Sequence, residues 1–213
     1  MLELGVPFSD PLADGIVNQL AAQRALAAGT NARGVLDCVR DIRSKSEVPI
    51  VLYTYLNPVI QFGFDEFHAE AIKAGVDGLL ILDLPPEEEN NVSSRQLPHI
   101  RLIAPTTPRE RIAKIAQNAQ GFLYYVSREG VTGVRENVST GLQQQIQQIR
   151  DISNLPIAVG FGISTPEQAK SVAKHADAVV VGSAIVDLIA KGGRESTAAV
   201  QQFAAALVGA INS

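Results

Sequence analysis

Apolar residues along this chain recur in two alternating rhythms. Short aliphatic runs alternate with longer stretches in which apolar positions return every three or four residues. The runs centre near residues 3, 51, 81, 102, 124, 158 and 180. Each is short, rich in Val, Ile and Leu, and bounded by Gly, Pro, Asn or Asp, which predicts buried parallel strands. Between them the spacing predicts helices over 15–28, 32–44, 65–74, 107–117, 142–153, 164–174, 184–190 and 197–211. Asn31 and Asp65 are placed to cap two of these helices, and Gly29 and Gly75 to close two. Asn57-Pro58 is expected to end the second strand. Pro86 with Glu87 to Glu89 reads as the first turn of a short helix. In the first helix Ile16, Leu20, Ala21, Leu26 and Ala27 recur at near-helical spacing, and in the second Val35, Leu36, Val39 and Ile42 form one face.

Strict β-α alternation means parallel strands joined by helical crossovers. Seven strand–helix units are countable where a TIM barrel has eight. The reading is an α/β fold of the TIM-type (β/α) barrel class, incomplete at about seven of eight units, in one domain over 1–213. The first and last strands of such an open barrel are each expected to leave one edge open, which lowers stability.

Composition narrows the chemistry. Aromatics are 5% of the 213 residues and Trp is absent, so the core must be aliphatic. A net charge of −4 is spread without blocks, which excludes a nucleic-acid stripe. The single cysteine excludes an internal disulfide, and Cys38 is expected as a small core residue. His68, His99 and His175 are scattered without ligand spacing, so no metal site is expected. No apolar run reaches the roughly 20 residues of a membrane helix. A cytoplasmic location is expected.

Candidate residues lie just after strand ends, where parallel α/β folds place their sites. In LELGVPFSDPLADG, Glu3 alternates against Leu2 and Leu4 and so faces away from both. A carboxylate inside an apolar strand needs a reason to be there. Asp10 and Asp14 follow in the loop; Asp10 alone is also ordinary turn chemistry. Three late segments carry glycines that let backbone approach an anion: GVTG at 130–133, GFGIS at 160–164, and Gly182-Ser183 ahead of a short helix. Tyr124 and Tyr125 must point to opposite faces of one strand, and the inward one either lines a pocket or packs the core. Tyr55 poses the same choice.

ELGVPFSDPLADG, LDLPPEE, YYVSREGVTG, GFGIS and GSAIV together resemble the tryptophan synthase alpha subunit family, in family order over nearly the whole chain. That resemblance implies a TIM barrel that cleaves indole-3-glycerol phosphate to indole and glyceraldehyde 3-phosphate without metal or organic cofactor. It implies Glu3 as the acid–base that moves a proton to indole C3, and Asp14 as the acceptor for the indole N–H. Tyr124, Tyr55 and Thr132 would then line the substrate pocket. Gly133, Gly162, Gly182 and Ser183 would bind phosphate. Pro7 and Asp10 would contact a beta subunit in an alpha-beta-beta-alpha complex, and pyridoxal phosphate would belong to that partner. The alternative is a catalytically impaired alpha-like chain that docks a beta subunit. Three departures stand out. The strand–helix unit the family carries ahead of ELG has no counterpart here. Ile16 and Asn18 stand where the family has Pro and an apolar residue. The segment from Pro86 to Ile100 is short.

Overall fold

The computed structural model describes residues 1–88, 97–127, 136–160 and 162–213, with backbone alone for 136–140. These residues fall into two compact units, Met1–Arg101 with Asn118–Gly121, and Leu102–Gln117 with Phe122–Ser213.

In the first unit three parallel strands, β1 (Leu2–Gly5), β2 (Ile50–Thr54) and β3 (Gly78–Ile81), lie in the order β1-β2-β3. Glu3 pairs with Val51 and Gly5 with Tyr53; Val51 pairs with Gly78 and Tyr53 with Leu80. Alternation therefore puts Glu3, Val51, Tyr53 and Leu80 on one face. The opposite face, with Ile50, Leu52, Leu79 and Ile81, joins Leu36, Val39, Phe67 and Ala71 in one aliphatic core. Those residues come from α2 (Ala32–Arg43) and α4 (Phe64–Ala74). Leu36, at 1% exposure, contributes about 1.5–3 kcal/mol by burial.

The helix α1 (Ile16–Ala27) forms as its spacing predicts, but it buries none of its residues: Ile16 and Leu20 are exposed. Asn31 caps α2 by accepting from the Gly34 N–H at 3.1 Å. Cys38 is exposed, which corrects its expected core position. Val35, Leu36 and Val39 define the buried stripe, and Cys38 lies off it.

Asn57-Pro58 does not simply end β2. Both fall in the first turn of a further helix, α3 (Leu56–Phe62), where proline's missing N–H has no partner to lose. Gly63, at φ 98°, closes α3 and stands at the N-cap of α4. Asp65 is therefore a first-turn acid of α4 and not its cap. Gly75 closes α4 at φ 95°, and a Cβ there would meet the Arg43 side chain at 2.8 Å. The helical turn expected from Pro86 runs out of the described residues after Glu88.

The second unit carries the sheet β4-β5-β6-β7, formed by β4 (Arg101–Ile103), β5 (Leu123–Val126), β6 (Ile157–Gly160) and β7 (Ala178–Val180). β5, β6 and β7 pair in parallel. All seven expected strands are present, and the helices are α5 (Arg109–Asn118), α6 (Glu136–Arg150), α7 (Pro166–Ala173), α8 (Ser183–Gly192) and α9 (Thr197–Ile211). The helix α6 starts at Glu136, ahead of the expected 142. Thr165 and Gln168 form a reciprocal capping box at α7, and Pro166 opens its first turn.

Candidate active site

β1 delivers Glu3 to the sheet face away from the aliphatic core. The residue is exposed to solvent, yet neighbouring protein atoms desolvate its carboxyl. That desolvation, with the charge of Asp14 as the second cause, pushes the Glu3 pKa up to about 7. A carboxyl group so placed is available as both proton donor and acceptor near neutral pH.

Asp14 stands on the loop between β1 and α1 and is held by groups from elsewhere. The Tyr53 hydroxyl donates to its Oδ1, and the Tyr55 hydroxyl to its Oδ2 at 2.9 Å. The Asn18 amide reaches Oδ1 at 3.4 Å, and Gln19 donates to the Asp14 backbone carbonyl at 2.9 Å. The Tyr55 hydroxyl also accepts from the Ala13 N–H at 3.0 Å, which pins the loop backbone. Tyr55 is buried, tilts against Phe8 at 5.3 Å, and stands at the N-cap of α3. Asp83, after β3, accepts from the next N–H, that of Leu56, at 2.6 Å. Burial first, and bonding to Asp14 second, hold both phenols well above the ordinary tyrosine range, so both remain donors.

The sequence points to Tyr55 but not to Tyr53, although Tyr53 lies in β2 and Tyr55 just past its end, two residues on. That spacing, on the face that carries Glu3, was the available signal. Asn18 was noted as a departure and here bonds the carboxylate.

In the second unit Tyr124 is half-buried and Tyr125 buried at 2% exposure. Tyr124 pairs with Ala158 and lies across Gly160, where a Cβ would run into its hydroxyl and ring. Gly162 takes φ 75°, a conformation suited to glycine. Gly182 is the N-cap of α8 and Ser183 its first residue, so the amide end of that helix opens at the predicted glycine. Thr132 and Gly133 lie outside the described residues. Pro7 lines an open groove with Val6, Leu26, Arg33 and Phe62; neither Glu3 nor Asp14 borders it. Asp10 is exposed and accepts from Ser9 Oγ. Among the described residues no group of three or more His, Cys, Asp or Glu side chains is placed to hold a metal ion.

The family model for the tryptophan synthase alpha chain matches residues 1–212. The chain belongs to the tryptophan synthase alpha chain family. It is 58% identical over 193 residues to the tryptophan synthase alpha chain of Opitutus terrae, covering 89% of this chain and 73% of that one. Identity to the Geobacter sulfurreducens alpha chain is 49% over 222 residues, covering 100% of this chain and 83% of the relative. The crystal structure of tryptophan synthase subunit alpha from Legionella pneumophila superposes with a TM-score of 0.90 at 41% identity, covering all of this chain and 81% of that one. The tryptophan synthase alpha subunit of Pyrococcus furiosus gives 0.87 at 38% identity, with 97% and 85% covered. The fold class is the α/β, TIM-type barrel of this family. No helix of the described residues is long and apolar enough to cross a membrane.

Proposed function

We propose that this chain cleaves indole-3-glycerol phosphate to indole and glyceraldehyde 3-phosphate, with Glu3 as the acid–base and Asp14 as the acceptor for the indole N–H. The observation that carries this reading is the contrast between the two carboxyl groups. Glu3 is crowded and raised to about 7, while Asp14 is fixed by two phenol donors. Environments that differ in this way divide labour between two acids.

The chemistry follows from the bond to be broken. The carbon–carbon bond between indole C3 and the glycerol chain cannot break while C3 belongs to the aromatic ring. Protonated Glu3 gives its proton to C3, and the positive charge that develops spreads to the ring nitrogen. Asp14 accepts from that N–H and stabilises the charge. The Glu3 carboxylate then takes the proton of the side-chain hydroxyl. The carbon–carbon bond breaks, its electrons restore the indole, and the aldehyde leaves as glyceraldehyde 3-phosphate. Glu3 ends protonated, so the cycle needs neither metal nor organic cofactor.

The phosphate is assigned to Gly133, Gly162, Gly182 and Ser183, and pocket lining to Tyr55, Tyr124 and Thr132. Residues 1–213 act as one barrel domain in this reading. The partner is a tryptophan synthase beta chain, which carries the pyridoxal phosphate and receives indole; Pro7 and Asp10 are assigned to that contact, and the location is cytoplasmic. An intact, supported carboxylate pair favours the lyase over a chain that only docks a beta subunit. The test is indole release by the purified chain, with and without a beta chain. Turnover abolished in Glu3→Gln is the expected result. A folded chain that releases no indole in either condition overturns the reading.

A further inference from the structure

Asp14 sits on a loop, yet both of its carboxylate oxygens are gripped by the neighbouring strand and its end. The two grips are not equivalent. Tyr55 has two tasks, since its hydroxyl bonds Asp14 Oδ2 and also accepts the Ala13 N–H at 3.0 Å. Tyr53 donates to Oδ1, where the Asn18 amide also approaches at 3.4 Å. Each carboxylate oxygen offers about two acceptor positions. Among the described residues Oδ1 thus takes two donors and Oδ2 takes one, so Oδ2 retains room for another.

We propose that Tyr53 is a positioning residue for Asp14, holding Oδ1 so that Oδ2 is the oxygen presented to the substrate's ring N–H. This rests on the reading of Asp14 given under Proposed function. Without the Tyr53 hydroxyl Oδ1 loses its closer donor, and rotation about the Cβ–Cγ bond is restrained only by the Tyr55 hydroxyl on Oδ2 and the Asn18 amide at 3.4 Å. Hydrogen bonds to charged groups are the stronger kind, and a group aimed before the charge develops need not reorganise when it does. The Tyr53 ring is half-buried in the sheet face that carries Glu3, so the hydroxyl is delivered by a rigid strand and not by a second loop.

The test compares Tyr53→Phe with wild type on two substrates, indole-3-glycerol phosphate and its 1-methylindole analogue, which lacks the ring N–H. Tyr53→Phe keeps the ring and its packing. The expected result is a loss of kcat/KM on the order of ten- to a hundredfold for the natural substrate, seen mainly in kcat. The preference for N–H over N-methyl should shrink by a similar factor. That preference is a ratio measured on one preparation, so it does not depend on how much of the variant folds. A wild-type preference that survives intact in Tyr53→Phe overturns the proposal and leaves the reading of Asp14 standing. A wild type without any preference for the N–H substrate overturns that reading and the proposal with it.

Discussion

Asp77 and Asp177 perform the same task, one in each unit. Each lies just before a strand and accepts from the first N–H of the strand beside it: Ile50 to Asp77 Oδ2 at 2.7 Å, and Ile157 to Asp177 Oδ2 at 2.9 Å. Each returns its own N–H to the same residue's carbonyl at 2.9 Å. Each also meets an arginine that ends the helix ahead of that neighbouring strand, Arg43 of α2 in one unit and Arg150 of α6 in the other. The ion pairs are partly solvated and worth little by themselves. The strand N–H groups matter more, because Ile50 and Ile157 are fully buried.

Asp77→Ala is therefore expected to cost about 1–3 kcal/mol, mostly from the orphaned Ile50 N–H. Asp177→Ala should behave alike. Asp37→Ala, which removes an exposed ion pair with Arg40, should stay within about 0.5 kcal/mol. Urea denaturation of the three variants checks the order; equal effects would mean that the ion pairs, not the strand amides, carry the stabilisation.

Glu3 predicts two pH dependences. As the proton donor it must be protonated, so kcat/KM is expected to fall tenfold per pH unit above about 7. A rate that stays level to pH 9 would remove Glu3 from that role. For stability, the folded chain holds a proton that the unfolded chain, with its ordinary value of 4.5, releases. Between 4.5 and about 7 the folded state binds more protons, so stability falls as pH rises through that window. Glu3→Gln removes this penalty. Since solvent still reaches the carboxyl, the gain at pH 8 is on the order of 1 kcal/mol, with none at pH 4. Melting temperatures of the two chains at both pH values measure it.

Gly160→Ala would drive a methyl group into Tyr124. A cost of about 1–3 kcal/mol is expected, with loss of activity if Tyr124 lines the pocket. In a Tyr124→Ala background the same change should be much cheaper. Additive costs in the double variant would show that the crowding at Gly160 comes from elsewhere.

The buried imidazoles of His68 and His99 meet Nε2 to Nε2 at 2.9 Å, and the His68 Nδ1 contacts the Phe64 carbonyl at 2.8 Å. That contact makes His68 Nδ1 the protonated nitrogen, so His99 donates across the pair. His68→Leu strips His99 of this acceptor and should cost about 1–3 kcal/mol. Replacing both by leucine should cost less than the two single changes summed, which denaturation of the three variants reads directly.

Strand order of appearance and the main helices were legible because aliphatic runs and helical periodicity coincide with real burial, as at Leu36 and Val39. α1 shows the limit. Its apolar spacing forms a helix, but spacing does not reveal whether anything packs on it, and Ile16 and Leu20 stay exposed. α3 was lost because Asn57-Pro58 reads as a stop, while the same pair is tolerated in a first turn. Glu3 and Asp14 were legible, since a lone acid in an aliphatic strand and one in the loop after it are conspicuous. Tyr53 and the His68–His99 contact were not, because each depends on partners 39 and 31 residues away.

The grip on Asp14 from outside its own loop has a consequence for how this protein can change. A loop that holds its own functional residue must conserve most of its sequence to keep that residue in place. Here the carboxylate is tethered to β2 and to Tyr55 just past its end, and a neighbour such as Leu12, 92% exposed, takes no part in the tether. Sequence drift or deliberate randomisation at such positions can proceed without moving the carboxylate, so the rim is free to vary while the chemistry stays put.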